Sequence, residues 1–312
     1  MIHPAPAAML LALAIDSAIG WPDALFRRLG HPVTWCGALI SALEARWNQG
    51  SPARRKLAGL AAALLVILVS AALAVLLQTA LPPGRAGVLL TAILAWPLVA
   101  ARSLHTHVAA VAAPLARQDL PAARRAVSMI VGRNPETLAP PAIARAALES
   151  LAENSSDGII APLFWGALLG LPGIAAYKAI NTLDSMIGHR SPRYLAFGWA
   201  AARIDDLANL LPARLTALLF ALAAQAKAAA LQTMWRDARH HRSPNGGWPE
   251  AAMAGALGLR LSGPRVYENE TANEPWINAS GRDPGADDLF AGLALYRRML
   301  LLAAAGLAIA AL

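Results

Sequence analysis

Acid and amide side chains gather in tight groups between residues 149 and 209. Glu149, Glu153, Asn154 and Asp157 form the first, Asn181 and Asp184 the second, and Asp205, Asp206 and Asn209 the third. Arg190, Arg203 and Arg214 accompany them. Oxygen donors of this kind suit a hard divalent ion such as Mg2+, which takes carboxylate and carbonyl ligands and shares them with phosphate. Glu149, Glu153 and Asp157 are spaced i, i+4, i+8 on one helical face, where like charges repel and call for a cation, either a basic side chain or a metal. In the third group Asp205 and Asn209 lie one turn apart, and Arg203 and Asp206 make a second pair. One such pattern is common; three in an otherwise oily stretch point to a polar ligand.

A different chemistry is written in SPNGG at 243–247. The small residues Ser243, Asn245 and Gly247 let backbone N–H groups approach an anion, and Arg239, His240, His241 and Arg242 add positive charge. The competing reading is a plain Pro/Gly turn ahead of a helix starting near Pro249. No Cys or spaced third His accompanies His240 and His241, so they do not read as a zinc site.

The elements that must position these groups are membrane helices. The chain has 312 residues, of which 57% are hydrophobic and only 15% charged, against about a quarter charged in soluble domains. Its formal charge of +8 is spread between apolar segments, which reads as basic loops on the cytoplasmic side and not as a nucleic-acid surface. A single cysteine, Cys36, excludes an internal disulfide. The expected fold is all-α: a polytopic integral membrane protein, one domain over 1–312, with a cytoplasm-facing polar cavity.

Residues 5–20 read as a first membrane helix that is retained, since no basic region precedes them and Asp16 interrupts the run. Residues 20–48 read as one amphipathic interfacial helix anchored by Trp21, Trp35 and Trp47, with His31 either a candidate ligand or, as is commoner for a lone His in such a segment, a structural hydrogen bonder. Arg54, Arg55 and Lys56 abut 57–81, a charge-free run long enough to span. Residues 86–101 return, and a helical insert over 102–157 follows on the cytoplasmic side, punctuated by Pro114, Pro121, Pro135, Pro140 and Pro141. Gly158 is expected to end the acidic helix. The apolar stretch after it is broken by Gly170-Leu171-Pro172-Gly173 into halves too short to span, so 158–180 is expected to form a re-entrant or buried hairpin; a full crossing is the alternative. Further membrane helices are expected at 208–232 and 293–312, with a polar loop over 233–290.

ENSSDG at 153–158, NTLDSMIGHR at 181–190, AARIDDLANLLPARLTA at 201–217 and SPNGGWPEAAMAGALG at 243–258 together resemble the adenosylcobinamide-phosphate synthase family of cobalamin biosynthesis. DSAIGWP at 16–22, HPV at 31–33 and GALISALEARWN at 37–48 are similar to that family's N-terminal pattern. The chain departs from it at His189, where tyrosine is usual, at Gly246, where alanine is usual, and over 266–282, which lacks the usual Gly-rich form.

The resemblance implies a multi-pass inner-membrane enzyme with its active site facing the cytoplasm. It would use ATP and Mg2+ to join adenosylcobyric acid to an aminopropanol phosphate or related amino-alcohol phosphate, and associate with other corrinoid-pathway enzymes. On that reading Glu153, Asp157, Asp184, Asp205 and Asp206 are the catalytic acids, Asp157, Asp184, Asp205 and Asp206 being the Mg2+ ligands and Glu153 the base. Asn154, Asn181 and Asn209 orient substrate; Arg190, Arg203, Arg214 and the Ser243, Asn245, Gly247 turn neutralise phosphate. Trp165 and Trp199 would wall the corrinoid cavity. A membrane sensor or transport-related protein leaves the acids unexplained, and a Mg2+-dependent membrane prenyltransferase would call for a second aspartate-rich motif.

Overall fold

The computed structural model describes residues 3–131, 136, 138–267, 270–272 and 274–312. Among them the helices run, in order, α1 (Pro4–Ile19), α2 (Asp23–Leu29), α3 (Pro32–Trp47), α4 (Pro52–Ala80), α5 (Arg85–Ala95), α6 (Ala101–Ala116) and α7 (Leu120–Ser128). They continue as α8 (Pro140–Ser155), α9 (Ala161–Ile187), α10 (Trp199–Ala208), α11 (Leu210–Ala223), α12 (Lys227–Asp237), α13 (Gly247–Leu257) and α14 (Ala286–Ala310). Four short strands, β1 (Leu261–Ser262), β2 (Arg265–Tyr267), β3 (Glu270–Ala272) and β4 (Trp276–Ile277), pair antiparallel as β1 with β4 and β2 with β3.

The punctuation follows from local chemistry. Pro4, Pro32, Pro52 and Pro140 stand in the first turn of their helices, where a missing N–H costs nothing. Gly20, Gly30 and Gly258 close α1, α2 and α13 with positive φ, which side chains resist. Pro52–Ala80, Arg85–Ala116, Pro140–Ile187 and Ala286–Ala310 are each long and apolar enough to cross a membrane, and two broken helix pairs raise the number to as many as six. The protein is an all-α polytopic membrane protein.

Several boundaries differ from expectation. Residues 20–48 form two helices, because Gly30 takes φ 71° and Pro32 begins a new one. His31 caps that start: its Nδ1 accepts from Val33 N at 3.2 Å while Thr34 Oγ1 reaches back to its backbone. Gly158 does not end the acidic helix; it lies within a π-turn over Ser156–Ile160 that follows α8, and α9 begins at Ala161. Pro114 sits inside α6, and Pro135 lies outside the described residues. The 208–232 stretch is not one helix, since α11 stops at Ala223 and α12 starts at Lys227. The 233–290 region holds α13 and the strands as well as loops.

The chain groups into two compact units, each assembled from separated segments. The first takes Met1–Ala100, Ala161–Asn209 and Gly306–Leu312; the second takes Ala101–Ile160 and Leu210–Ala305. No linear boundary separates them, which is why composition alone reads as one domain. The first unit's core joins Ile40, Ala62, Ala63, Val66, Ala179, Leu183, Ile187 and Phe197. Alanine and glycine dominate such helix contacts because small side chains let backbones approach. A Cβ on Gly59 would lie 1.8 Å from the Phe197 carbonyl oxygen, so only glycine fits there.

The expected helix break is present. Gly170 takes φ 69°, ψ −153° within α9, and the N–H that the break frees at Leu171 donates to Gln78 Oε1 of α4 at 2.7 Å. A buried amide without a partner costs about 1–3 kcal/mol, and the lone Gln in the second half of α4 removes that cost.

Candidate functional site

In the first unit, the segment of α9 after Gly170 presents Tyr177, Lys178, Asn181 and Asp184, and α10 with its C-cap presents Arg203, Asp205, Asp206 and Asn209. Tyr177 OH donates to Asn209 Oδ1 at 2.9 Å, and Asn209 Nδ2 donates to Asp205 Oδ2 at 3.0 Å. Asn209 is 1% exposed and Asp205 9%, so this relay is a core feature that fixes α10 against α9. Trp165 joins it by donating its indole N–H to the Ala208 carbonyl at 3.1 Å.

The remaining groups of this unit are more open. Arg203 Nη1 meets Asp206 Oδ2 at 3.1 Å, and Arg190 acts electrostatically on the same carboxylate. Lys178 Nζ donates to Asn181 Oδ1 at 3.4 Å. Asp184 Oδ1 lies 2.0 Å from where a Cβ on Gly188 would stand; glycine there is what lets the half-buried carboxylate fold over the end of α9.

In the second unit the i, i+4, i+8 row does not act as one. Glu149 is buried and its Oε1 accepts from Ser262 N at 2.7 Å, which pins β1 to α8. Glu153 and Asn154 are exposed, Asn154 Nδ2 turning back to Ser150 O at 2.9 Å. Asp157 is half-buried in the π-turn, where the wider winding breaks its register with Glu153.

The SPNGG segment is a turn held by side chains. Ser243 Oγ accepts from Asn245 N and Gly246 N, each at 3.2 Å, and His241 Nδ1 accepts from Ser243 N at 3.1 Å. Those three amides are thus engaged internally, against the expectation of a nest of N–H groups open to an anion. Arg214 Nη1 donates to Asn245 Oδ1 at 2.7 Å and Nη2 to Pro244 O at 3.2 Å, with its guanidinium over the Trp248 ring. A Cβ on Gly247 would stand 2.2 Å from Ala238 O. Glu153 flanks the turn, its Oε1 3.5 Å from a Cβ position on Gly246.

Elsewhere in this unit Asp283 takes hydrogen bonds from Arg260 and Arg145, whose guanidiniums cover the Trp276 ring. The Arg260 bonds first, then Arg145, hold the Asp283 carboxyl down to about 2.

Among the described residues no three His, Cys, Asp or Glu side chains assemble as a metal site. The half-exposed carboxylates of Asp184 and Asp206, and separately of Asp157, remain the donor chemistry that Mg2+ takes one or two at a time when phosphates complete its shell. A cavity of about 590 Å3 in the first unit is walled by Trp21, Trp35, Trp96, Leu73 and Leu171. Neither Trp165 nor Trp199 lines it, and Trp199 is 43% exposed beneath Lys56 Nζ.

The CobD/Cbib protein family matches residues 9–296. The chain belongs to the CobD/Cbib family. It is 65% identical over 294 residues to Cobalamin biosynthesis protein CobD of Rhodobacter capsulatus, covering 94% of this chain and 93% of that protein. The like-named proteins of Sinorhizobium fredii and Rhizobium meliloti are 49% and 47% identical, covering 95% and 92% of this chain and 94% and 91% of theirs. No solved structure matches the chain. Sequence patterning points to this CobD/Cbib member's acids and amides but misses Tyr177, Gln78 and Glu250. Tyr177 is detectable in principle, since it stands one turn before Asn181.

Proposed function

We propose that this CobD/Cbib member is an ATP-dependent ligase of cobalamin biosynthesis that joins adenosylcobyric acid to an aminopropanol phosphate or related amino-alcohol phosphate, giving adenosylcobinamide phosphate. The observation that carries the reading is the family match, which takes in the acids, amides and arginines of both polar clusters. The relatives named above are called cobalamin biosynthesis proteins.

A carboxylate resists an amine until one of its oxygens becomes a leaving group. In the proposed reaction the corrinoid carboxylate attacks the γ-phosphorus of ATP and ADP departs. The amine nitrogen then attacks the acyl carbon, the C–O bond to phosphate breaks, and the ammonium proton passes to a base. Exposed Glu153 suits that base. In the first unit Asp184 and Asp206 would supply Mg2+ ligands, and Mg2+ would offset charge developing on phosphate. Asp205 and Asn209, hydrogen-bonded in the core, position these groups, and Asn154 and Asn181 orient substrate. Arg190 and Arg203 neutralise phosphate, and Arg214 holds the Ser243–Gly247 turn. The bilayer hosts the protein, with the site open to the cytoplasm and to other corrinoid-pathway enzymes.

The test supplies purified protein with ATP, Mg2+, adenosylcobyric acid and aminopropanol phosphate. ADP release that requires both the corrinoid and the amine, with a corrinoid product of the condensed mass, is the expected result. ADP release independent of the corrinoid, or none, rejects the ligase.

A further inference from the structure

His241 and Glu250 form a buried pair that the mechanism above does not use. Their side chains are 4% and 2% exposed, and His241 Nε2 stands 3.6 Å from Glu250 Oε1. Because His241 Nδ1 accepts the Ser243 N–H at 3.1 Å, the ring proton sits on Nε2 and faces the Glu250 carboxylate. The imidazole is thereby fixed in tautomer and orientation, wedged between the start of the turn and α13. Ser243 is the next link. Its oxygen accepts from Asn245 N and Gly246 N, both at 3.2 Å. A hydroxyl has two lone pairs and one hydrogen, so with both lone pairs used the O–H remains as a donor with a fixed origin. Ser243 as a residue is half-buried, and an acceptor reaching it from outside the turn meets that donor.

The neighbour across the turn sets the acceptor's chemistry. Glu153 Oε1 lies 3.5 Å from the Cβ position on Gly246, so a carboxylate and a hydroxyl donor flank one turn. A polyphosphate would be repelled by Glu153, whereas a small zwitterion with an ammonium at one end and a phosphate at the other satisfies both groups. Resting on the ligase reading, we infer that the turn of the second unit receives the amino-alcohol phosphate, the Ser243 hydroxyl donating to its phosphate and Glu153 meeting its ammonium. His241 and Glu250 are positioning residues for that hydroxyl.

The experiment compares Ser243→Ala, His241→Ala, His241→Asn and Glu250→Gln in the full-length protein. Asn at 241 keeps an oxygen able to accept the N–H two residues on, so it should restore what alanine loses. Ser243→Ala and His241→Ala should raise the KM for the phosphorylated amine roughly tenfold, with kcat within about twofold and the KM for ATP unchanged. His241→Asn should return within about threefold of wild type, and Glu250→Gln should fall between. With the unphosphorylated amino-alcohol all four should match wild type. A rise in the KM for ATP, an equal loss with both amines, or no recovery in His241→Asn overturns the inference.

Should wild type lack ligase turnover, the ligase reading fails, and hydrogen exchange decides the turn separately. Added aminopropanol phosphate should slow exchange of the 243–247 amides in wild type and not in Ser243→Ala. Unchanged exchange in wild type, or equal slowing in both, overturns it.

Discussion

The two polar clusters are held by different means. In the first unit, buried Tyr177, Asn209 and Asp205 bond side chain to side chain, and that relay anchors the helix bearing Arg203 and Asp206. In the second, the 243–247 turn is held by side chains gripping backbone: Ser243 and His241 take amides, and Arg214 takes the Pro244 carbonyl as well as Asn245. An all-helical apolar core leaves almost no free backbone groups, so polar positioning there falls to side-chain relays. A turn exposes unpaired backbone and can be fixed through it. The first arrangement is intolerant of change within the relay; the second spreads the hold over several contacts.

The sharpest break of this contrast is Asp205→Asn with Asp206→Asn, expected to lower ligase turnover at least about a thousandfold while the protein stays in the membrane. Turnover within tenfold of wild type would remove the acids from the chemistry. Gln78→Leu comes next. It strands the Leu171 N–H at the α9 break and should cost about 1–3 kcal/mol, read as a lower melting temperature in detergent; an unchanged melt would mean the break satisfies itself. Tyr177→Phe removes one bond of the relay and should destabilise by roughly 1 kcal/mol, whereas Arg214→Lys, keeping the charge but losing the fork, should cost less because the turn has other holds. A larger loss in Arg214→Lys would invert the comparison.

The smallest effect concerns the second unit's Asp283. Its folded value of about 2 lies below the usual carboxylate value, so its contribution is complete above roughly pH 3.9 and is lost as pH falls through about 2. Trp276 lies under both of its arginine partners, and its fluorescence should change across that window and not between pH 5 and 7.

Membrane character, the spanning run of α4, the break at Gly170 and the polar groups themselves were legible in the residues, because hydropathy, proline and glycine act locally. His31 likewise read as a structural hydrogen bonder and proved to be a helix cap. Glu149 looked like a member of the acidic row and is a strand anchor instead, since nothing at 149 announces the Ser262 amide. Gly158 looked like a stop and lies within a π-turn, a winding that no short-range pattern marks.

Sequence by itself determined the class, the spanning run of α4, the break at Gly170 and which residue types could meet phosphate, for each depends on a residue and its near neighbours. Tertiary structure alone decided which acids are buried in the fold and which are half-buried or exposed. Partners such as Tyr177 with Asn209, Gln78 with Leu171 and Glu149 with Ser262 are 32, 93 and 113 residues apart, and a carboxylate's role depends on what packing brings to it.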